Sequence, residues 1–302
     1  MIINKSPEME TKEKKDAKYE KIVMIPTDFS EVCDNAIHHG VELAQSLHYN
    51  VCILHVINKE TKSFLKKEQL SLDYVNEKLN EYKSRYEKET GVTVNTISRE
   101  GSIFEVINEI AAEINAHMMI LGTHGKLGLQ HLFGSYALRV VLDSPCPVVV
   151  VQKRSFGNGY HKIIFPITND LEVRQKVQWA LLMAKLFNSK FLVYIANEKD
   201  PDLKNRLNII THQITEIFDE KNVGYEIESA EKPGDFGKQI VSSAITHQSD
   251  LIMIMTIPQI DNPGFSVAGW DETMMFNEAQ IPVMCINPTI IGKYYYEWIT
   301  LI

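Results

Sequence analysis

The chain has 302 residues, of which 44% are hydrophobic, and its formal net charge at pH 7 is −8. Because domains average roughly 150 residues, this length predicts two domains with packed cores. The acidic balance disfavours nucleic acid as a partner, since proteins that bind nucleic acid present clustered Lys and Arg. Small anions stay compatible with this composition, because backbone amides and one or two lysines can bind an anion locally.

Cysteine usage and the amino-terminal segment predict a reduced, cytoplasmic protein. Residues 1–18 are charged and contain no apolar run, so we interpret them as a disordered extension and not as a signal peptide or membrane anchor. No stretch of the chain reaches the ~18 apolar residues that a spanning helix needs, and we expect no membrane association. The cysteines have no C-x-x-C spacing and are predicted to be core residues: Cys33, Cys52, Cys146 and Cys285.

The segments KIVMIPTDFS, from residue 21, and KIIFPITNDL, from residue 162, share one pattern. Each begins with Lys, runs through apolar β-formers and ends in polar turn residues, as a buried parallel strand leading into a helix does. Apolar residues then follow at helical spacing, namely Val32, Ala36, Gly40, Leu43, Ala44 and Leu47 in the first half, and Val173, Val177, Ala180, Ala184 and Phe187 in the second. The chain is therefore interpreted as a duplicated unit.

Each half continues with alternating helices and strands to a fifth, apolar strand, PVVVV from residue 147 and PVMCI from residue 282. This alternation predicts an α/β fold with two doubly wound, Rossmann-like parallel sheets of five strands each. The fifth strands lie at predicted sheet edges, so we expect them to pair and to make the halves an internal pseudo-dimer with a pseudo-two-fold axis. The predicted parts are an extension at 1–18, a first domain at 19–152, a linker at 153–159, a second domain at 160–288 and an aromatic tail at 289–302.

The glycine-rich stretch LGTHGKLGLQHLFGS, residues 121–135, follows the fourth strand of the first half. Glycines let backbone approach a ligand closely, and a glycine turn that leads into a helix presents N–H groups to an anion. For a glycine cluster alone, a flexible loop is the alternative. Asp28 and Val56 follow or end the first two strands, at the sheet edge where ligands bind in such folds. A carboxylate there can accept hydrogen bonds from ribose hydroxyls, and the backbone of Val56 can contact adenine.

The motifs PTDFS, ILHVI and GTHG…GS, followed by SPCPVVVV, resemble the universal stress protein family strongly over residues 21–152, while residues 162–288 resemble it by topology and weaker sequence. The resemblance implies an adenine nucleotide alpha hydrolase-like fold. In the ATP-binding branch of that family the phosphate loop has the form G-x2-G-x9-G-[S/T]. This chain has eight residues between Gly125 and Gly134 instead of nine. The ATP site that the resemblance implies, with Mg²⁺ held through the phosphates, comprises Pro26, Thr27, Asp28, Val56, Leu121, Gly122, Gly125, Gly134 and Ser135.

The second half departs further from that pattern. Asn169 or Asp170 stands near the position of Asp28, and the segment TIPQIDNPGFSVAGWDETMMF replaces the glycine loop, with Thr256 opposite Gly122. We therefore expect no phosphate site there, and interpret its glycines, Gly264 and Gly269, as turn residues.

Catalytic and metal-binding motifs are missing from the sequence. It contains no G-x-S-x-G elbow and no G-x4-G-K-[ST] loop, so we expect no catalytic and no metal-ligating residues. His124 and Lys126, within the glycine stretch, are the side chains that could touch a phosphate; Lys126 is equally compatible with a solvent-exposed position.

The expected role is a nucleotide-dependent interaction with a protein partner in a stress response. The alternatives are an interaction scaffold that binds no nucleotide and a weak Mg²⁺-dependent nucleotide hydrolase. The aromatic carboxyl-terminal segment IIGKYYYEWITLI is expected to dock on the protein's own surface or to form a subunit contact in a homodimer.

Overall fold

The apolar runs form the strands of one sheet, and the amphipathic segments between them form helices on both of its faces. The computed structural model describes residues 21–123, 133–256 and 274–289. The first half contains β1 (Ile22–Pro26), α1 (Glu31–Leu47), β2 (Asn50–Ile57), α2 (Lys59–Lys67), α3 (Asp73–Thr90), β3 (Val94–Glu100), α4 (Ile103–Glu113), β4 (Met118–Gly122), α5 (Phe133–Leu142) and β5 (Val148–Val151). The second half contains β6 (Lys162–Ile167), a 3₁₀ helix (Leu171–Lys176), α6 (Val177–Phe187), β7 (Lys190–Ile195), α7 (Pro201–Glu220), β8 (Tyr225–Ser229), α8 (Phe236–Thr246), β9 (Leu251–Met255) and β10 (Val283–Ile286).

The strands lie in the order β3-β2-β1-β4-β5-β10-β9-β6-β7-β8. Within each half every neighbouring pair is parallel. The two halves meet at β5 and β10, which are antiparallel, with Val149 opposite Met284. The predicted α/β fold is confirmed, and so is the predicted pairing of the fifth strands. Two doubly wound halves of five strands form one sheet of ten.

Each face of the sheet carries an apolar core that extends through both halves. Helices α1, α3, α6 and α7 cover one face, and α4, α5 and α8 cover the other. Side chains of β5 and β10 belong to both clusters: Val149 and Met284 lie in the first, Val150 and Val283 in the second. The halves therefore share packed surface on both sides of the β5–β10 pair.

The segment predicted as a linker, residues 153–159, is hydrogen-bonded on both sides. From α1, the Asn35 side-chain amide donates to the carbonyl of Gln152 at 2.7 Å and to that of Arg154 at 3.2 Å. The Arg154 guanidinium donates to the carbonyl of Ser249 at 3.0 Å and to the carboxylate of Asp250 at 3.4 Å. Asn35 thus ties this segment to the first half, and Arg154 ties it to the second.

A buried aromatic cluster adds a second contact between the halves. His39, in α1, is hydrogen-bonded to the hydroxyl of Tyr160, and the rings of His39 and Phe156 lie 4.9 Å apart between their centres. Burial lowers the pKa of His39 to about 3. The imidazole is therefore neutral near pH 7, which suits its apolar surroundings.

Helix α2 is an element that the sequence did not predict. Its segment, KETKSFLKK, is strongly charged, and Leu65 is its one buried residue. The helix begins at an effective cap, because the Asn58 side chain accepts a hydrogen bond from the backbone N–H of Thr61 at 2.8 Å. A cap and a single buried anchor are too weak a periodic signal to indicate a helix from sequence.

Several sequence predictions concern burial, membranes or metals. All four cysteines are buried, as predicted, and none forms a disulfide bond with another described residue. None of the helices in the described ranges combines the length and apolar character that a bilayer-spanning segment needs. Among the same residues, no cluster of three or more His, Cys, Asp or Glu side chains is arranged to hold a metal ion. The extension at 1–18 and the aromatic tail, apart from Thr289, lie outside the described residues.

Replacing both Val149 and Val151 in β5 with Lys should loosen the two halves. Both side chains are fully buried, and burying an ammonium without a partner costs several kcal/mol. We expect a lower free energy of unfolding in denaturant and faster protease cleavage within residues 153–159. The control Ile209→Lys introduces the same charge at an exposed position of α7 and should change neither quantity. Equal cleavage in both variants would contradict the role assigned to the β5–β10 pair.

Candidate functional site

The strands of the first half separate at the point where their order reverses. β1 and β4 pair through Val23 with Met118 and Met24 with Met119, and no further pair follows toward their carboxyl ends. β1 then leads into α1 on one face of the sheet, whereas β4 leads toward α5 on the other. Such a point leaves a crevice beyond the strand ends, which is where doubly wound folds bind ligands.

The turn after β1 holds Asp28 in a fixed position at this crevice. The Thr27 N–H donates to the carbonyl of Leu54 at 2.8 Å, and the Thr27 hydroxyl accepts from the N–H of Phe29 at 3.0 Å. The Asp28 carboxylate accepts from the N–H of Ser30 at 2.9 Å, while its side chain remains exposed to solvent. The buried Thr27 thus anchors the turn to the protein interior, and Asp28 presents its carboxylate to solvent.

An aromatic stack supports the same turn. Phe29 has a φ of 65°, a left-handed conformation that is uncommon outside glycine. Its ring stacks on His55, with centres 4.4 Å apart, and on Tyr82, with centres 6.2 Å apart. Burial lowers the pKa of His55, so its imidazole is neutral near pH 7. Its Nδ1 lies 2.9 Å from the carbonyl of Thr27, a contact in which Nδ1–H donates. The stack and this hydrogen bond together hold the strained turn.

Gly122, at the end of β4, has a packing reason to be glycine. A Cβ at this position would lie 3.1 Å from the carbonyl oxygen of Val32 and 3.2 Å from the Cβ of Ala36, both in α1. The glycine thus lets α1 pack closely on β4 whether or not a ligand is bound. Thr123, the next residue, is 4% exposed, and its hydroxyl has no hydrogen-bond partner among the described residues. Because side chains alternate along a strand, Thr123 lies on the opposite face from Gly122, the face that α5 covers.

The other predicted residues are distributed as follows. Pro26 and Leu121 are buried at the ends of β1 and β4. The carbonyl of Val56 accepts hydrogen bonds from the N–H of Asn58 at 3.0 Å and from the Thr61 hydroxyl at 3.4 Å, so both of its lone pairs are engaged. Gly134 and Ser135 lie in the first turn of α5. The rest of the glycine stretch lies outside the described residues, including Gly125, His124 and Lys126.

Comparison with known proteins identifies the family. The model of the universal stress protein family matches residues 19–152. Universal stress protein MJ0531 of Methanocaldococcus jannaschii is 34% identical over 142 residues, an alignment that covers 45% of this chain and 83% of that protein. The chain belongs to the universal stress protein family. Universal stress protein MJ0577 of the same organism is 29% identical over 158 residues, covering 45% of this chain and 96% of its own length.

Solved structures of similar fold extend over both halves. A universal stress protein from Archaeoglobus fulgidus superposes with a TM-score of 0.69 at 14% identity, covering 89% of this chain and 98% of that one. The protein PA1789 from Pseudomonas aeruginosa, described as functionally unknown, has a TM-score of 0.60 at 13% identity, with coverages of 90% and 94%. At these identities the likeness concerns the fold alone.

The second half of this universal stress protein has the same strand separation, filled by a lysine. β6 and β9 pair through Ile163 with Leu251 and Ile164 with Ile252 before they part. Lys176, the last residue of the 3₁₀ helix, extends into this gap and is 1% exposed.

The Lys176 side chain contacts both parted strands. Its Nζ donates to the carbonyl of Pro166 in β6 and to that of Met253 in β9, the latter at 3.1 Å, and lies 4.1 Å from the ring centre of Phe165. Burial lowers its pKa well below 10.5. A neutral amine has two N–H donors, which matches the two carbonyls. The cavity that remains beside Lys176, next to Thr168, has a volume of about 10 Å³, room for one water molecule.

The strand registers correct one detail of the sequence comparison. Thr256 was placed opposite Gly122, but Gly122 pairs with Val151 on β5 just as Met255 pairs with Ile286 on β10. Met255 is therefore the counterpart of Gly122, and Thr256 is the counterpart of Thr123. The one-residue error arose because an apolar strand end carries no marker of its register. Unlike that of Thr123, the Thr256 hydroxyl is bonded, to the carbonyl of Ile286 at 3.3 Å.

Near the position in the second half that corresponds to Asp28, the polar residues form hydrogen bonds with their own neighbours. Asp170 accepts a hydrogen bond from the Thr168 hydroxyl at 2.8 Å, and the Asn169 amide donates to Glu198 at 3.4 Å.

The sequence gives no sign of the role of Lys176, because an internal lysine near a helix start is usually exposed. The helix predicted to include Val173 begins instead at Val177, after the 3₁₀ turn that brings Lys176 inward.

Replacing Lys176 with Met should change how stability depends on pH. A lysine whose pKa is lowered by folding binds fewer protons in the folded state than in the unfolded state. The unfolded chain then binds the extra proton, so the stability that wild type has relative to Lys176→Met should rise as pH increases from 7 toward 10. Urea unfolding at several pH values in this range measures the difference in free energy of unfolding between the two proteins. The control Lys185→Met, at an exposed position of α6, should give a difference that is flat with pH; a flat difference for Lys176→Met would contradict the lowered pKa.

Proposed function

We propose that this universal stress protein binds ATP or a related adenine nucleotide at the β1/β4 crevice and acts in the cytoplasm through nucleotide-dependent interactions with a protein partner. Residues 19–152 form the binding domain, and residues 160–288 form a second, diverged domain of the same family joined to it by residues 153–159. The observation that carries this proposal is the fixed, solvent-exposed carboxylate of Asp28 after β1, at the switch point where β1 and β4 part.

The residues present fit a nucleotide. Asp28 would accept hydrogen bonds from ribose hydroxyls, as acidic residues do in dinucleotide folds. The buried Thr123 hydroxyl, unpartnered among the described residues, supports a polar ligand on the face of α5. Backbone N–H groups at Gly134 and Ser135, in the first turn of α5, would bind phosphate together with the loop at Gly125. Adenine would contact the Val56 carbonyl by displacing the long hydrogen bond, 3.4 Å, from the Thr61 hydroxyl. Mg²⁺, carried by the phosphates, would neutralise part of their charge.

The shortened loop is the feature that most tests this fit. One residue fewer between Gly125 and Gly134 changes the reach of the loop by up to about 3.5 Å. The backbone amides around Gly134 would therefore approach a shorter phosphate chain or a differently placed one. AMP, ADP and ATP should accordingly be compared, since their phosphate chains differ in length.

A second candidate function is a scaffold that binds no nucleotide. Gly122 favours it, because contact with α1 alone explains the glycine at that position. Purification without added ligand, followed by denaturation and chromatography of the supernatant, distinguishes the two. Release of an adenine nucleotide supports the binding function, and its absence together with a flat ATP titration supports the scaffold.

Substituting Asp28 should weaken nucleotide binding without unfolding the protein. Asp28→Asn keeps an oxygen for the Ser30 N–H and removes the charge, whereas Asp28→Ala removes both. Loss of a charge-assisted hydrogen bond costs about 1.5–3 kcal/mol, so ATP affinity should fall about 10- to 100-fold in calorimetry. Asp202→Asn, at an exposed position of α7, is the control. Wild-type affinity in both Asp28 variants, at unchanged thermal stability, would remove Asp28 from the site.

Titration of the full chain should give at most one nucleotide per chain. In the second half Lys176 lies in the gap between the parted strands, and Met255 stands where the first half has Gly122, so we expect no nucleotide there. Calorimetry gives the stoichiometry, and two equivalent sites would contradict this assignment.

Phosphate release from ATP in the presence of Mg²⁺ should be slow or undetectable. Multiple turnovers per minute would favour the nucleotide hydrolase instead.

A further inference from the structure

A groove of about 310 Å³ lies on the second half, at the amino ends of β6, β7 and β8. It is therefore at the opposite end of these strands from the Lys176 crevice. Its size falls in the range of small-molecule sites. Leu192 lies at its floor, Tyr225 and Gly224 line its outer side, and Ser249 lines its inner side.

Two lysines stand side by side in this groove. Lys162 and Lys190 are direct register partners on the parallel strands β6 and β7, so their side chains lie on the same face of the sheet. Both are exposed, and neither forms an ion pair with any described residue. Among the described residues, the Lys162 ammonium donates a long hydrogen bond, 3.5 Å, to the carbonyl of His247. Like charges directly opposite in a sheet destabilise it, so this pair is unfavourable without an anion.

The acidic groups near the groove form no ion pair with Lys162 or Lys190 among the described residues. The carboxylate of Asp250 accepts the backbone N–H groups of His161 and Lys162 at 3.0 and 2.9 Å, and pairs with Arg154 at 3.4 Å. Glu228 lies 3.4 Å from His247. Glu226 lines the groove on β8, opposite Leu192 and on the same face as Lys190, and it forms no ion pair with a described lysine. The two ammonium groups thus form no ion pair with the described part of the chain.

The groove also has an apolar part. Leu192, two residues after Lys190 in β7 and on the same face of the sheet, is 8% exposed and borders the same space. Gly224 keeps the outer side open, because a Cβ there would meet a single neighbour, the Cγ of Lys190, at 3.5 Å. The geometry points to a site for a small organic anion, with its carboxylate, phosphate or sulfonate between Lys162 and Lys190 and its apolar body over Leu192.

The test uses the full chain and the fluorescent anion 8-anilinonaphthalene-1-sulfonate, which carries a sulfonate on an aromatic body. We expect saturable binding that benzoate displaces and that the neutral analogue benzyl alcohol does not. Lys162→Gln and Lys190→Gln should each weaken dye binding at least about 10-fold, the loss of one charge-assisted contact. Lys204→Gln, an exposed lysine at the distant start of α7, should bind as wild type does.

A shape variant separates the groove from charge alone. Gly224→Val fills the open side and leaves both lysines in place, and the space at Gly224 accommodates a side chain without strain. It should weaken the dye as strongly as the lysine variants. Dye affinity unchanged in Gly224→Val and in both lysine variants would overturn the proposal, as would equal displacement by benzyl alcohol.

Thermal stability without ligand supplies an independent readout. Because the lysine pair is repulsive, Lys162→Gln and Lys190→Gln should each raise the midpoint of thermal unfolding while weakening dye binding. A merely structural role for these lysines would lower the midpoint, and that result would contradict the proposal. Since the groove is remote from Asp28, the outcome does not depend on whether the first half binds a nucleotide.

Discussion

The antiparallel pairing of β5 with β10 is the contact on which the rest of the structure depends. Each half alone would end in a short, wholly apolar edge strand, and such edges pair readily with other chains. Here each edge covers the other, and the two cores become continuous through Val149, Val150 and their partners on β10. The connecting segment then needs no length or flexibility, which agrees with its bonds to Asn35 and Arg154.

The two halves meet the same physical problem and solve it differently. Wherever neighbouring strands part, backbone carbonyls at the gap need hydrogen-bond donors. In the second half Lys176 supplies them from within the chain, and Met255 fills the position of Gly122. That donor is covalently attached and cannot exchange with a ligand. In the first half a glycine ends β4 and a fixed carboxylate follows β1, the two features on which the proposed nucleotide site rests.

The periodic parts of the fold were predictable from sequence, and the groups that act across the fold were not. The repeated strand pattern and the helical spacing of Val32, Ala36 and Leu43 were strong local signals, and they correspond to β1, β6 and α1. The stack of Phe29 on His55 and Tyr82 joins three separate segments, so no local pattern could reveal it. Tertiary packing buries Lys176, although lysine side chains are usually exposed. Asp28 could be placed because a polar residue after a buried strand has a defined location in a parallel fold.

The β5–β10 pairing also determines where the two proposed anion sites lie. Because this pair is antiparallel, the carboxyl ends of the strands in the first half and the amino ends of the strands in the second half lie on the same side of the ten-stranded sheet. The Asp28 crevice and the Lys162–Lys190 groove therefore lie along the same edge. Five strand steps separate β1 from β6 in the sheet, about 24 Å at the usual spacing of strands. That distance exceeds the Debye length of about 8 Å at physiological salt, so charges bound at the two sites would hardly repel each other. Any coupling between them would have to pass through the contacts that join the halves, chiefly the β5–β10 pair and the cluster of His39, Phe156 and Tyr160.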